Sequence, residues 1–416
     1  MNNVTIRNSI MLVLAGTLSA PAWSLTVAQR LTALESANTA LKAKVTSLQT
    51  ALNTVKNNSV LKLNGKLRVN AQGDALFTGV NVQVVNGQGS TLTANGKGNL
   101  VIGYNEVDPA VHPVCSNFSF STKADCTAAG AVWSGSQHKG SHYLVVGTKN
   151  TYLQHSGIVS GYGNAGSAPF GNVTGGIYNT AQEGFASVSG GYQNTAKGLY
   201  SAASGGYMNT ARGKESSVSG GGYNVASGEG SSVSGGGGFT SVNGAEFGTG
   251  NTASGKFSSA TGGVFNAASG EASVVVGGGY FNTDPNMQLI PYGNKATGLH
   301  SSAIGGRSNV ALGEISTVSG GQSNSANAHL SNINGGYGNK TIGLNSNISG
   351  GDFNTTTGAN SSVNGGGYNN AQGDLSTVSG GAKNIATGIY SSVSGGLQRA
   401  ALDQFDWVAG GLFQDQ

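Results

Sequence analysis

The sequence predicts an all-β protein, a parallel β-solenoid or β-roll of ~15-residue coils, preceded by an N-terminal coiled-coil helix. The main observation is a repeat over Asn150–Trp407: a small apolar residue, Ser, two Gly, and then Asn six residues after the apolar one, as in Val188–Gly191 with Asn194. Short periods of this kind mark solenoids, whose units bury their inner residues only against neighbouring units. The second observation is a seven-residue apolar repeat over Leu25–Val55, which predicts the helix.

The composition argues against an ordinary globular core and against nucleic acid as a partner. Of 416 residues 71 are Gly, and only 9% are charged against about 25% in average domains. The net charge of +4 is spread thinly, without runs of Lys or Arg. A disordered Gly/Ser/Asn-rich segment is the alternative, but disorder would not keep Val, Ala, Gly and Asn in phase.

Residues 1–24 are predicted to be a signal peptide. Arg7 supplies positive charge, Ile10–Ala20 is a short apolar core, and Ala22 and Ser24 are small residues near a cleavage site. We therefore expect export, to the cell surface, the medium or the periplasm. No later segment approaches the ~20 apolar residues of a membrane helix, so no integral membrane segment is expected.

Residues 25–57 are predicted to form a coiled-coil rod, because two apolar series, offset by three residues, make a seam. An amphipathic helix docked on a globular domain is the alternative. A polar residue in the seam, Asn38, fixes register, but the seam alone does not distinguish a dimer from a trimer. The two series are Leu31, Asn38, Val45 and Leu52, and Val27, Leu34, Leu41, Leu48 and Val55.

Residues 58–98 are predicted to be a β-rich neck. Leu61/Leu63 and Leu67/Val69 flank a turn signature, Asn64-Gly65, and predict a hairpin. The alternation at Val80–Val84 predicts a further strand. The solenoid, or head, then extends over residues 99–416 with two insertions, 106–141 and 283–293.

Within one coil, residues such as Val318 are predicted to face inward and the surrounding Ser, such as Ser316, outward. The turn Gly, such as Gly198, are expected to supply positive φ. The in-phase Asn are predicted to form a structural ladder, with solvent-facing turn residues as the alternative. The predicted ladder is Asn164, Asn179, Asn194, Asn209, Asn224, Asn294, Asn309, Asn324, Asn339, Asn354, Asn369 and Asn384.

Two further rows of residues lie outside the inner phase. Larger apolar residues follow the turn Gly, and we expect identical chains to bury them, because an exposed stripe of that length would favour aggregation. Aromatic residues precede the ladder Asn, and they either bind glycans or extracellular matrix or only shield the turns. The apolar row is Phe185, Leu199, Phe257, Leu299, Ile315, Leu344, Leu375 and Ile389, and the candidate binding row is Tyr178, Tyr192, Tyr207, Tyr223, Phe265, Tyr337, Phe353 and Tyr368.

The first insertion holds both cysteines, Cys115 and Cys126, which are expected to form a disulfide in an exported protein. A zinc site with nearby His is the alternative, although the spacing fits no usual pattern. The 17 acidic residues are scattered, and no pair recurs on one face. We therefore expect no catalytic residues, no cofactor and no enzyme activity.

The motifs resemble the head repeats of trimeric autotransporter adhesins, the YadA-like or haemagglutinin-type head. Leu144–Gly147 and Ser187–Gly191, followed by Asn194, Ala196 and Gly198, carry this resemblance, which covers Asn99 to the end. It implies a left-handed parallel β-roll, a homotrimer and adhesion at a surface. The sequence departs from the family pattern because the rod precedes the head. A second departure, that no membrane-anchor domain is expected after the head, puts self-export in doubt.

The leading hypothesis is a secreted or cell-surface oligomeric protein, adhesin-like or structural. The alternative is a carbohydrate- or ice-binding solenoid module, although the mixture of Ser, Thr, Lys, Glu and Asn at outward positions argues against ice. A polysaccharide-degrading enzyme is the third hypothesis.

Overall fold

The computed structural model describes residues 26–58, 63, 65–242, 245–280 and 292–410, and side chains are not described over 240–246. The predicted signal peptide and most of the insertion at 283–293 lie outside the described residues. The chain forms two compact units, Met1–Gln83 and Val84–Gln416.

The first unit contains a 30-residue helix, α1 (Val27–Lys56). It begins with a capping box, in which the Thr26 hydroxyl accepts from the Gln29 amide and the Gln29 side chain accepts from the Thr26 amide. No residue of this helix is buried, and its heptad residues Val27 and Leu34 are 82% and 68% exposed. None of the helices in the described residues is long and apolar enough to cross a membrane.

The neck contains a hairpin that the sequence analysis did not predict, and the first strand of the predicted hairpin lies mostly outside the described residues. Strand β1 (Leu67–Val69) pairs antiparallel with β2 (Ala75–Phe77). The turn is organised by Asn70, whose side-chain oxygen accepts from the amides of Gln72 and Asp74. Residues 59–62 and 64 lie outside the described residues, and the predicted strand at Val80–Val84 is absent from the described segment.

The second unit is a parallel β-solenoid, as predicted, with two sheets. We call them the valine sheet and the alanine sheet, after their common inward residues. The strands of the valine sheet are Leu100–Ile102, Ser141–Thr148, His155–Tyr162, Asn172–Val173, Ser187–Val188, Ala202–Ala203, Ser217–Val218, Ser232–Val233, Ser259–Thr261, Val274–Val276, Ser302–Ile304, Thr317–Val318, Asn332–Ile333, Asn347–Ile348, Ser362–Val363, Thr377–Val378, Ser392–Val393 and Trp407–Val408.

The alanine sheet is parallel throughout as well. Its strands are Thr151–Tyr152, Ala165–Gly166, Thr180–Ala181, Thr195–Ala196, Thr210–Ala211, Val225–Ala226, Thr252–Ala253, Ala267–Ala268, Lys295–Ala296, Val310–Ala311, Ser325–Ala326, Lys340–Thr341, Thr355–Thr356, Asn370–Ala371, Ile385–Ala386 and Ala400–Ala401.

Each strand pairs with the strand one coil later, as Val318 with Ile333. An insertion that the sequence analysis missed interrupts this period: an antiparallel hairpin of Phe239–Val242 and Ala245–Gly248. Val225 therefore pairs with Thr252. The second insertion is closed at its base by hydrogen bonds between the backbones of Tyr280 and Tyr292.

The interior differs from the prediction at its serines. Val318 is fully buried, but so is Ser316, which was predicted to face outward. Residues two apart in an extended chain share a face, so an inward Val places the Ser two residues earlier inward as well. The outward residues are Thr317, which is half-buried, and Ser319, which is exposed.

The glycines of the inner column have a different role from the predicted one. Gly198 is not among the residues with positive φ. A Cβ at Gly198 would lie 2.0 Å from the carbonyl oxygen of Gly213 in the next coil. This column therefore needs Gly because the backbones of adjacent coils lie close together. Gly191, in contrast, has φ of +85° and is needed for the positive φ that was predicted.

Candidate functional site

The Asn ladder runs through the interior at the turn that follows each strand of the valine sheet. The Asn194 amide nitrogen donates to the Gly190 oxygen at 2.9 Å and to the Gly206 oxygen of the next coil at 2.9 Å. The Asn194 side-chain oxygen accepts from the backbone N–H of Asn209 at 3.0 Å. Every Asn of the predicted ladder is buried and takes part in such bonds, so this row is structural.

The ladder also contains four residues that the sequence analysis missed. The hairpin and the second insertion shift the phase, so a fixed period overlooks two of them, but the local pattern Asn-x-Ala-x-Gly identifies both. The additional members are Asn105, Asn150, Asn251 and Asn266.

One corner of each coil, between the alanine-sheet strand and the valine-sheet strand, exposes large apolar side chains; we call it the apolar corner. Ile315, predicted in the apolar row, lies here with φ of +55° and is 46% exposed. A β-branched residue rarely adopts this left-handed conformation, which costs roughly 1–2 kcal/mol for an L-residue. Nine large apolar or aromatic residues share it: Phe170, Phe185, Tyr200, Phe257, Ile315, Leu330, Leu375, Tyr390 and Phe405.

The candidate aromatic row lies at the opposite corner. The rings of Tyr192 and Tyr207 stack at 5.2 Å between centroids, and those of Phe353 and Tyr368 stack at 5.0 Å. The five members from Tyr178 to Phe265 are half-buried, whereas Tyr337, Phe353 and Tyr368 are exposed. The row is thus arranged along the solenoid axis, with its most accessible rings in the C-terminal half.

The outward face of the valine sheet carries no charge among the residues from Asn172 to Ser394. In each coil two outward positions, such as Thr317 and Ser319, flank the inward Val318, and a Gly with open space beside it follows. The residues that occupy these two columns are mostly Ser, Thr and Asn. In contrast, the alanine sheet exposes Lys295 and Lys340.

The first insertion is packed on the alanine sheet. Cys115 and Cys126 are joined by a disulfide, and Cys126 lies in a short helix, α2 (Lys123–Ala128). The His112 ring bonds the Thr180 hydroxyl at 2.6 Å and stacks on Tyr178 at 5.6 Å. Burial lowers the pKa of His112 to about 4, so this imidazole is neutral at pH 7.

Ionisable groups are sparse around the insertion. Lys149 forms an ion pair with Asp108 at 3.0 Å, and hydrogen bonding to Lys149 lowers the pKa of this carboxyl. Among the described residues, no three His, Cys, Asp or Glu side chains are grouped so as to hold a metal ion. The cysteine sulfurs are not free to bind zinc, because they are bonded to each other.

Comparison with models of known protein families and with curated proteins found no match to this chain. The resemblance to adhesin head repeats therefore depends on the motifs in the sequence alone.

Proposed function

We propose that this protein is an exported, oligomeric β-solenoid that acts through its surface, as an adhesin-like or structural protein. The observation that carries the proposal is the apolar corner. Eight of its nine residues with positive φ are exposed, and the ninth, Phe170, is half-buried, although this backbone conformation favours Gly or Asn. Strain of this kind persists where the side chain has a use, and the use of a long apolar row is contact with another chain.

The helix α1 supports the same proposal. Its heptad residues are all exposed within one chain, and an isolated helix buries them only against other helices. A homotrimer joined along this helix and along the apolar corner would bury both rows. Multi-angle light scattering on the mature protein should give three times the chain mass, and a stable monomer would contradict the proposal.

A triple variant, Ile315→Asn, Leu330→Asn and Leu375→Asn, tests the corner directly. Asn suits the local backbone, as Asn345 and Asn360 of the same column already show with φ of +51° and +55°. We expect the variant to fold, because each change relieves strain, and to assemble less tightly. The control is Leu312→Asn with Ile342→Asn, which changes exposed apolar residues of the alanine sheet. If the control variant alone loses assembly, the interface lies elsewhere.

Attachment is the second part of the proposal. The aromatic row is the candidate surface for glycans or matrix, because stacked rings repeat along the axis and weak contacts add through avidity. Replacing Tyr337, Phe353 and Tyr368 by Ser should abolish attachment to immobilised glycans or matrix with little change in melting temperature. Unchanged attachment, with a lower melting temperature, would mean that these rings only shield the turns.

A carbohydrate- or ice-binding solenoid is the second candidate function, and the uncharged face of the valine sheet favours it. Its Ser, Thr and Asn side chains repeat at ~4.8 Å between coils, a spacing suited to an ordered ligand surface. Ser319→Lys with Ser349→Lys should abolish retention by ice or by insoluble polysaccharide. The matched control, Thr355→Lys, lies in the column that already holds Lys295 and Lys340.

A further inference from the structure

A pocket of about 280 Å³ lies between the disulfide-linked insertion and the alanine sheet. This volume is near the lower end of ligand clefts and suits a small ligand. The roof comes from the insertion and includes Phe118, Phe120 and Trp133. The floor comes from adjacent coils, and strong contacts join the two, such as the bond from the Gln182 side chain to the Phe118 oxygen at 3.2 Å.

The floor consists of two columns of polar side chains. Thr180, Thr195 and Thr210 are equivalent residues of consecutive coils, so their hydroxyls repeat at ~4.8 Å. Lys197 and Arg212 line the second column. The pocket therefore combines a row of hydroxyl groups with two adjacent cations.

In the column that contains Lys197 and Arg212, charged side chains lie beneath the insertion and not in the later coils. Neither Lys197 nor Arg212 forms a salt bridge among the described residues. Burial lowers the pKa of Lys197, and the charge of Arg212 lowers it further, while Glu183 opposes the effect. The equivalent positions of the later coils are uncharged: Ser227, Ser254, Ser269, Thr297, Leu312, Asn327, Ile342, Thr357, Gln372 and Thr387.

Lys197 is half-buried and Arg212 is exposed. Two adjacent cations repel each other, and an anionic ligand bound between them would relieve this repulsion. Arg binds carboxylates through two parallel hydrogen bonds, and Lys adds a point charge. The aromatic roof offers an apolar surface to the C–H face of a ring, and the Thr hydroxyls can bond to ring hydroxyls. A neutral sugar would use only the aromatic roof and the Thr hydroxyls. A simple anion would use only the two cations.

We propose that this pocket binds a pyranose sugar that carries a carboxylate, of the uronic-acid class. The carboxylate would lie between Lys197 and Arg212, the ring against Trp133, and the ring hydroxyls along Thr195 and Thr210. The site is complete within one chain, so the inference does not rest on the proposed assembly. It supplies a ligand class for the adhesin-like function.

Isothermal titration with methyl β-D-glucuronide tests the proposal on the full mature chain, with methyl β-D-glucoside and acetate as probes of each half of the site. We expect the glucuronide to bind at least about tenfold more tightly than either probe. Arg212→Gln should weaken glucuronide binding about tenfold and leave the glucoside unaffected. Trp133→Ala should weaken both sugars. Lys340→Gln, which removes an exposed cation elsewhere on the same sheet, is the control and should change nothing.

Three outcomes would overturn the inference: no binding of the glucuronide by the unmodified protein, equal affinity for acetate and glucuronide, or full affinity in Arg212→Gln. Arg212→Lys keeps the charge but loses the paired hydrogen bonds, so its affinity should fall between those of the unmodified protein and Arg212→Gln. An unchanged melting temperature in both variants shows that contact, not fold, is lost. A monomeric protein that still binds the glucuronide would contradict only the proposed assembly.

Discussion

At the scale of single residues, Asn324 shows how a coil with so small an interior is held together. Its amide nitrogen donates to Gly320 at 3.1 Å and to Gly336 at 3.0 Å, and its side-chain oxygen accepts from the Asn339 backbone at 3.0 Å. The other inward residues are mostly Ala, Gly, Ser and Val, with Ile at positions 333 and 348 and Thr at 341 and 356, so each coil buries little apolar area. Loss of a ladder hydrogen bond should therefore be costly, because the groups that it joins are buried in this small interior.

Asn324→Ala should destabilise the solenoid by about 3 kcal/mol, because it leaves the Gly320 carbonyl and the Asn339 N–H buried without these partners. The Gly336 carbonyl loses one of its two bonds and keeps the one from the Gln322 N–H. Thermal or denaturant unfolding measures the loss, and hydrogen exchange should show it in the neighbouring coils. Asn364→Ala, at an exposed position of the valine sheet, is the matched control and should be nearly silent. Equal stability of the two variants would refute the structural role of the ladder.

Val318→Asp and Ser316→Asp should both be strongly destabilising, by several kcal/mol, because each buries a carboxylate without a partner. Ser319→Asp, three residues after Ser316 and exposed, should have little effect. Melting temperatures of the three variants decide the matter. A silent Ser316→Asp would restore the outward assignment made from the sequence.

The sequence analysis assigned Val318 correctly and Ser316 wrongly for a physical reason. An apolar side chain such as that of Val318 indicates an inward residue. In this thin interior small polar side chains such as that of Ser316 also face inward, so polarity does not show which side chains face the solvent. Gly198 illustrates the same limit. The sequence does not show whether a glycine is required by close approach of the next coil or by positive φ. The structure assigns Gly198 to the first kind, because a Cβ there would overlap Gly213.

At the scale of elements, the repeat pattern does not predict the structure of the insertions and the neck, because these segments lie outside the repeat. The strand pattern at Val80–Val84 has the alternation of a strand, but no neighbouring strand pairs with it in the described segment. The hairpin at Phe239–Val242 and Ala245–Gly248 was missed because Gly-rich sequence on either side hides its boundaries. The disulfide could be predicted from the expected export and the presence of two cysteines, whereas the pocket that the insertion forms could not.

The first insertion should loosen from the alanine sheet at acid pH. The pKa of His112 is lowered by burial to about 4, so between its ordinary value and pH 4 the unfolded state binds a proton that the folded state excludes. Stability is thus fully present above about pH 6.5 and falls progressively towards pH 4, by up to about 3 kcal/mol. Hydrogen exchange of residues 112–135 at pH 7 and 4.5 measures this, and His112→Gln should remove the pH dependence without removing the fold. An equal response of both proteins would assign the effect to other groups.

At the scale of the whole molecule, the solenoid is a one-dimensional array. Each strand contacts its predecessor and its successor in register, so stability is close to a sum of coil terms and nearest-neighbour terms. The sequence predicted this part of the fold best, because the 15-residue period can be recognised directly in the amino-acid sequence. Oligomeric state and ligand do not follow from the period, since they depend on outward side chains that vary from coil to coil.

Deletion of one whole coil, residues 340–354, should therefore be tolerated. It brings Ile333 into register with Val363 and preserves every column, so the melting temperature should fall only slightly. Deletion of residues 340–353 is the matched control. One residue of slip turns every following inward side chain outward, and the control should fail to fold beyond the junction. Circular dichroism and proteolysis distinguish the two.

The Asn ladder also gives the solenoid a direction of growth. Asn194 directs both its donors and its acceptor towards backbone groups, and those of the neighbouring coil belong to the coil that follows it in the chain. A newly formed coil at the carboxyl end therefore meets an amide that its predecessor has already oriented through the Gly190 carbonyl. A coil added at the amino end finds no such template and must order its own Asn first. Folding should thus proceed coil by coil from the amino end towards the carboxyl end. The ladder stops at Arg399, whose backbone N–H bonds to Asn384 but whose side chain is not that of Asn.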